Sequence, residues 1–288
     1  MGVKYKIVKF NINEFGIDIA SLRKAFSFEL LAWDNNDTKL SQLRFLMRKY
    51  SQDKQRILSE AQHYLDDISV PEYIEKCITG LSEKEKKVFY SYRPFRKRGL
   101  SRFITEWVNH QWEVNVIELP ALSSFTQDAD HSTDLRKLVR RFPPMDSATS
   151  HSPELKQLIK RLVGIVCECE PHIRMRKIGV TCHQVSLIIS QLERFVSNSP
   201  EGLHQDGSDY IVSALVIDKY NIDGGASKLY CTEKKEFIKS HILECGEGLL
   251  HVDKNSTIWH KVTPIKIKEP SLGDGYRNIL GFDFNYIL

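Results

Sequence analysis

Several classes are excluded by what the chain lacks. Its six cysteines (Cys77, Cys167, Cys169, Cys182, Cys231 and Cys245) form no CxxC pair in 288 residues. A disulfide-stapled secreted scaffold does not fit that usage, and a reducing cytoplasm is the expected home. No apolar stretch approaches the roughly 20 residues needed to span a bilayer. The start, MGVKYK, offers neither the basic-then-apolar run of a signal peptide nor the hydroxyl residue of a myristoylation site. No membrane partner is expected. A surplus of one charge sign is missing too: 41 basic against 37 acidic residues leave +4, too little to imply nucleic-acid binding.

What is present is an ordinary globular composition, 41% hydrophobic and 27% charged, with length for one large domain or two small ones. The first ninety residues read as mainly helical. Ile19, Leu22, Phe26, Leu30 and Trp33 recur at helical steps, and Leu43, Leu46, Tyr50, Leu58, Ala61, Leu65 and Ile68 form a second such face ending at Pro71. A basic and aromatic run follows, with Arg93, Arg96, Lys97, Arg98 and Arg102 among Phe89, Tyr90, Tyr92, Phe95 and Phe103. Such a mixture can bind single-stranded nucleic acid, but an isolated run is better read as a solvated loop with aromatic anchors. Residues 120–152 are rich in Pro, Ser, Thr and Asp, which predicts a long loop-rich connection of the kind that covers active sites. Ser152-Pro153 then supplies an N-cap and first-turn proline for a helix carrying Leu155, Leu158, Ile159, Leu162 and Val166.

From about 172 the pattern becomes short strand-like runs: HIRMRKIGV, HQVSLIIS, YIVSALVI, SKLYC, GLLHV, STIWHKV and NILGFDFNYI. Gly, Pro, Asn and Asp separate them at short intervals, as in an antiparallel sandwich or barrel. No Gly/Ser linker divides the chain. The expectation is an α+β fold over 1–288: a mainly helical part at 1–90 wrapped around a β-rich core at 172–288.

Within the β region, PEGLHQDGSDY contains His204-x-Asp206, and IWHKVTPI brings His260. Two imidazoles and a carboxylate on one face of an octahedron make the facial triad of non-haem iron(II), with positions left open. Residues i and i+2 of an extended chain project to one side, so His204 and Asp206 can share a metal while the third ligand arrives from another strand. Arg277, in GYRNILGF, is a candidate to grip a carboxylate by a bidentate pair. A second pair, His251-Val-Asp253, is rejected as the triad because the only later histidine, His260, is too near for intervening strands. Spacing alone leaves His204 and Asp206 open to another reading, since DGSD is turn-like and the histidine could be a capping or surface residue.

The four blocks PEGLHQDGSDY, NIDGGASKLY, STIWHKVTPI and GYRNILGFDF resemble, in order and spacing, the bacterial 2-oxoglutarate/Fe(II) dioxygenase family that includes L-isoleucine 4-hydroxylase and related free amino-acid hydroxylases. The similarity is clearest from about Cys182 onward, and RPFRKRGLSRF looks like that family's basic segment ahead of the core. It implies a double-stranded β-helix (jelly-roll, cupin-like) fold. It also implies His204, Asp206 and His260 as ligands of Fe(II), Arg277 as the anchor of 2-oxoglutarate, and O2 as oxidant. The implied reaction is hydroxylation of an unactivated carbon, with succinate and CO2 as co-products. Asp206 fills the position that a halide would take in related halogenases, which favours hydroxylation. Where the family commonly has an arginine after His183-Gln184, this chain has Ser186, which points to a different substrate.

The expected substrate is a small molecule, a free L-amino acid or close derivative. Glu201 is a candidate for its amino group, and Arg102 or Arg174 for its carboxylate. Tyr230 is a candidate for the cosubstrate pocket, with Gly224-Gly225 making the turn that leads to its strand. Trp259 should face away from His260 into a core. Two alternatives remain: the same chemistry on a peptide, a carrier-bound amino acid or a nucleic acid docked by the basic run, and a jelly-roll binding protein without turnover. A nucleic-acid partner is the less expected one.

Overall fold

A computed structural model describes residues 6–66, 69–127, 134–200, 202–231 and 236–287. The helical periodicity of the first ninety residues is divided among short helices rather than two long faces. They are α1 (Ile19–Ala25), α2 (Asn36–Lys49), α3 (Lys54–Leu65), α4 (Glu72–Thr79) and α5 (Glu83–Ser91). The first face breaks at Phe26: Leu30 is 76% exposed and Trp33 45%, because the chain beyond α1 turns into a 3-10 segment and then bridges Lys97. Leu43, Leu46, Ile57, Ala61, Leu65 and Ile74 pack α2, α3 and α4 into one cluster. Ile68 lies outside the described residues. A capping box at Ser82 and Glu85 starts α5, satisfying two backbone donors that the first turn would leave open.

After the short α6 (Ser147–His151), α7 (Pro153–Cys169) begins where the sequence places it, with the Ser152 side chain accepting from the Leu155 N–H and Pro153 in the first turn. Its apolar side is fully buried at Leu155, Leu158, Ile159, Leu162 and Val166. Cutting Leu158 to Ala would cost about 2–5 kcal/mol in transfer energy and cavity formation.

The strands are β1 (Ile7–Asn11), β2 (Arg96–Val108), β3 (Gln111–Ile117), β4 (Ser123–Phe125), β5 (Arg140–Phe142), β6 (Lys177–Ile189), β7 (Tyr210–Tyr220), β8 (Ile222–Gly224), β9 (Ser227–Cys231), β10 (Glu236–His241), β11 (Glu247–Val252), β12 (Ile258–Val262), β13 (Ile265–Ile267) and β14 (Gly275–Ile287). Seven form an antiparallel sheet in the order β1-β11-β7-β14-β6-β2-β3, and β10-β9-β12 form a smaller one. The two sheets face each other in a jelly-roll. Val185, Ala214, Val216, Leu249 and Ile279 of the large sheet meet Leu229 and Ile258 of the small one. The opposite face of the large sheet, with Val180, Cys182, Phe282 and Phe284, packs on α1 and α7.

This arrangement extends the β region beyond the expected 172–288. The basic run is no solvated loop: Arg96 to Val108 is a strand paired with both β6 and β3, and β1 joins the sheet edge through β11. The run is basic because of pleat alternation. Arg96, Arg98 and Arg102 pair with Leu187, Val185 and Thr181 of β6, and at this period of two they share one face. Lys97, Ser101 and Phe103 take the helix-covered side. Among the described residues, no helix is long and apolar enough to cross a membrane.

Candidate metal centre

The segment between β6 and β7 carries His204 and Asp206, and β12 carries His260. An isolated antiparallel bridge joins His204 to His260, each backbone N–H donating to the other's carbonyl at 2.9 Å. That bridge holds the two rings 4.3 Å apart, centroid to centroid. One ligand atom from each of His204, Asp206 and His260 lies within 4.8 Å of the other two. His204 Nε2 is 3.4 Å from Asp206 Oδ1, and His260 Nε2 is 3.5 Å from Asp206 Oδ2. Adjacent ligands of a metal bonded at about 2.1 Å would be about 3 Å apart, so a small inward adjustment closes the set.

The environment suits a cation. The His204 Nδ1–H donates to the Gly202 carbonyl at 2.9 Å, which leaves Nε2 with its lone pair toward the site. Burial alone would raise the Asp206 pKa, but the adjacent His260 and His204 hold it well below the usual carboxylate range. Burial, with His204 beside it, pushes His260 far below the ordinary histidine value. Asp206 also accepts a hydrogen bond from Gln127. Between His204 and Asp206, Gln205 points the other way and donates to the carbonyls of Asp253 and Ile258, both at 2.7 Å.

Arg277 sits on β14, two residues from Ile279 of the cavity wall, and is 2% exposed. Neither of its terminal nitrogens has a hydrogen-bond partner, and burial pulls its pKa down to about 10. A buried guanidinium without an anion is costly, so an acid group is the ligand it fits. Gly225 (φ +68°) makes room for it, since a Cβ there would lie 3.4 Å from Arg277 Cδ and Nε.

The remaining candidates divide. Arg102 is on the cavity face of β2, in a groove shared with Asp206 and Asp283, and its guanidinium donates to the Ser124 carbonyl. Arg174 instead lies over the Trp107 ring at 5.0 Å, outside the residues that line the cavity. Tyr230 is on the wrong side of β9: it pairs with Trp259, while Leu229 pairs with His260. Alternation turns Ser227 inward instead, and its hydroxyl is buried without a partner. Trp259 does oppose His260, but it is only half-buried on the outer face of the small sheet rather than in a core. Ser186 pairs with Lys97 and Asn278 and faces a pocket with Lys97 and Tyr276. That pocket is on the helix-covered side, so the residue at 186 does not shape the metal cavity. Glu201 lies outside the described residues.

Sequence reasoning missed other residues of the cavity. Arg98 lies over the Phe142 ring at 4.7 Å, and Arg140 is 5.2 Å from the Phe125 ring and donates to Gln127 at 2.6 Å. His183 and Asp283 face the same space, joined at 2.9 Å. Arg96 is committed elsewhere, clamped by Asp37. The signal for Arg98 was present in the alternation of RKRGLSR, but it reads as a face only once the segment is known to be a strand.

Residues 86–283 match the family model described as 2OG-Fe dioxygenase. Among solved structures, the chain is similar to IDO from Bacillus thuringiensis, at 16% identity over 74% of this chain and 92% of that one, with a TM-score of 0.53. It is also similar to a bsmA homolog from Methylobium petroleophilum PM1, at 17% identity over 74% and 85% of the two chains, with a TM-score of 0.54. At such identities the likeness concerns the fold. No curated protein sequence matches the chain.

Proposed function

The chain belongs to the 2OG-Fe dioxygenase family, and from that premise we propose that it hydroxylates an unactivated carbon of a small carboxylate-bearing substrate, a free L-amino acid or close derivative. The observation that carries the reading is the convergence of His204, Asp206 and His260 in the same jelly-roll interior as an orphaned, buried Arg277. In this reading the triad holds Fe(II), and Arg277 holds the distal carboxylate of 2-oxoglutarate by a bidentate pair. When bound, iron, 2-oxoglutarate and O2 supply the oxidising chemistry, with succinate and CO2 as co-products.

The chain's own part is placement and exclusion of water. Arg98, held against Phe142, offers a flat cation to a substrate carboxylate. Asp283, on the same sheet face beyond His183, offers an acceptor for an ammonium group. Opposite charges in one cavity suit a zwitterion. The resemblance of the four sequence blocks to those of amino-acid hydroxylases points the same way. The rival reading, a polymer docked by the basic run, has little support: Arg96 is 6% exposed and bound to Asp37, and Arg98 faces inward.

The test is anaerobic incubation of the protein with iron(II) and 2-oxoglutarate, followed by oxygen with a panel of L-amino acids. The expected results are a charge-transfer absorption before oxygen and substrate-stimulated succinate after it. Absence of both would sink the oxygenase reading. The absorption with succinate stimulated only by peptides or polynucleotides would overturn the substrate class.

A further inference from the structure

Asp253 belongs to the His-x-Asp pair that spacing excludes from the triad, yet it is 0% exposed and lies against the site. Its Oδ2 accepts the backbone N–H groups of Asp206, Gly207 and Ser208 at 2.9, 2.7 and 3.2 Å. Three donors on one oxygen fix the turn that presents the Asp206 side chain. The other oxygen, Oδ1, is buried with no hydrogen-bond partner, and so is His260 Nδ1. These two orphaned atoms are 3.9 Å apart.

Buried polar atoms left open cost free energy, and two complementary ones within reach of each other point to a bond that forms when the site is filled. We infer that Asp253 is a positioning residue for the metal: Oδ2 clamps the Asp206 turn, while Oδ1 accepts the Nδ1–H of His260 and so turns its Nε2 lone pair toward the iron. This rests on the iron reading above. A shift of about 1 Å brings 3.9 Å to hydrogen-bond length, and it runs with the inward movement that closes the three ligands. A metal-bound imidazole characteristically donates its other N–H to a carboxylate or carbonyl. His204 already has the Gly202 carbonyl for this, and Asp253 supplies the counterpart for His260. The carboxylate thus couples two ligands that the sequence separates by 54 residues. The neighbouring His251 is the rival acceptor. Its ring centroid is 5.2 Å from that of His260, and its Nε2 also has no partner.

The test uses the full chain loaded with cobalt(II) in place of iron. Proton spectra of such a protein display the N–H of each metal-bound imidazole as a separate, strongly shifted resonance. In the wild type, two such resonances should exchange slowly with solvent. In Asp253→Asn, which keeps an oxygen for the backbone donors but turns an amide NH2 toward His260, one resonance should move or be lost while the other stays. Metal affinity should fall by roughly 10–100-fold, with the melting temperature of the metal-free protein little changed. His251→Leu should leave both resonances in place. Unchanged resonances and affinity in Asp253→Asn overturn the inference, as does a His251→Leu variant that loses the resonance instead. Should Asp253→Asn fail to fold, a rapidly exchanging His260 N–H in the wild type would overturn it alone. A wild-type protein that takes up neither cobalt nor iron would instead refute the metal reading beneath it.

Discussion

Two His-x-Asp pairs sit within 50 residues of each other in this chain and meet the same cavity in opposite ways. His204 and Asp206 lie in an irregular segment held to the small sheet by one bridge, so their side chains reach an open space. His251 is the last residue but one of β11, which is paired on both sides, with β1 and with β7, and Asp253 is the first residue beyond the strand. Both residues of this second pair are 0% exposed. One pair offers lone pairs to the cavity, and the other commits one atom of each side chain to the backbone, the His251 Nδ1–H to the Val252 carbonyl and Asp253 Oδ2 to three N–H groups. The spacing is common to both; what separates them is whether neighbouring strands leave room for a ligand. An open coordination position requires a gap in the sheet.

That contrast can be broken in four places. The largest effect belongs to His204→Ala or Asp206→Ala, which should abolish both the charge-transfer absorption with 2-oxoglutarate and turnover. Arg277→Ala should come next, raising the KM for 2-oxoglutarate. Truncating one partner of a buried charge pair costs about 2–5 kcal/mol, or roughly 30-fold and more, and steady-state kinetics at varied cosubstrate reads it directly. Gly225→Ala is a milder version of the same perturbation, because its positive φ and the Cβ contact with Arg277 should displace the guanidinium. A several-fold rise in that KM, with about 1 kcal/mol of lost stability in urea melts, is expected. Least affected in iron binding should be His251→Ala, whose loss is one of packing. A His251→Ala protein that bound no iron while His204→Ala still did would reverse the assignment of the two pairs.

Much of the candidate site was legible because it draws on residue types that are costly to bury without purpose. His204, Asp206, His260 and Arg277 could be named from their spacing and the blocks around them. Residues whose role depends on register were not legible. Tyr230 and Ser227 are three apart on one short strand, and only the pairing of Leu229 with His260 decides which turns inward. The same holds for Ser186, which a one-residue shift in β6 would have put in the cavity. The helix at Ser152 was readable because a cap and a first-turn proline are local signals. The strand at Arg96 was misread because its apolar partners lie about 90 residues ahead, in β6. Trp33 and Leu30 failed for a related reason: periodicity in sequence continued past the point where α1 stopped.

The His204–His260 bridge also has a thermodynamic consequence. It is a single pair of backbone hydrogen bonds, and it is the only β-bridge holding the described part of the segment between Ser199 and β7 to the small sheet. Any fluctuation that parts those two residues also parts two of the three candidate ligands, so in the iron reading the opening of this clasp and the release of the metal are coupled. Metal occupancy should therefore tax that opening by RT ln(1 + [M]/Kd). The amide protons of His204 and His260 become gauges of it, with exchange rates that fall together as metal is added.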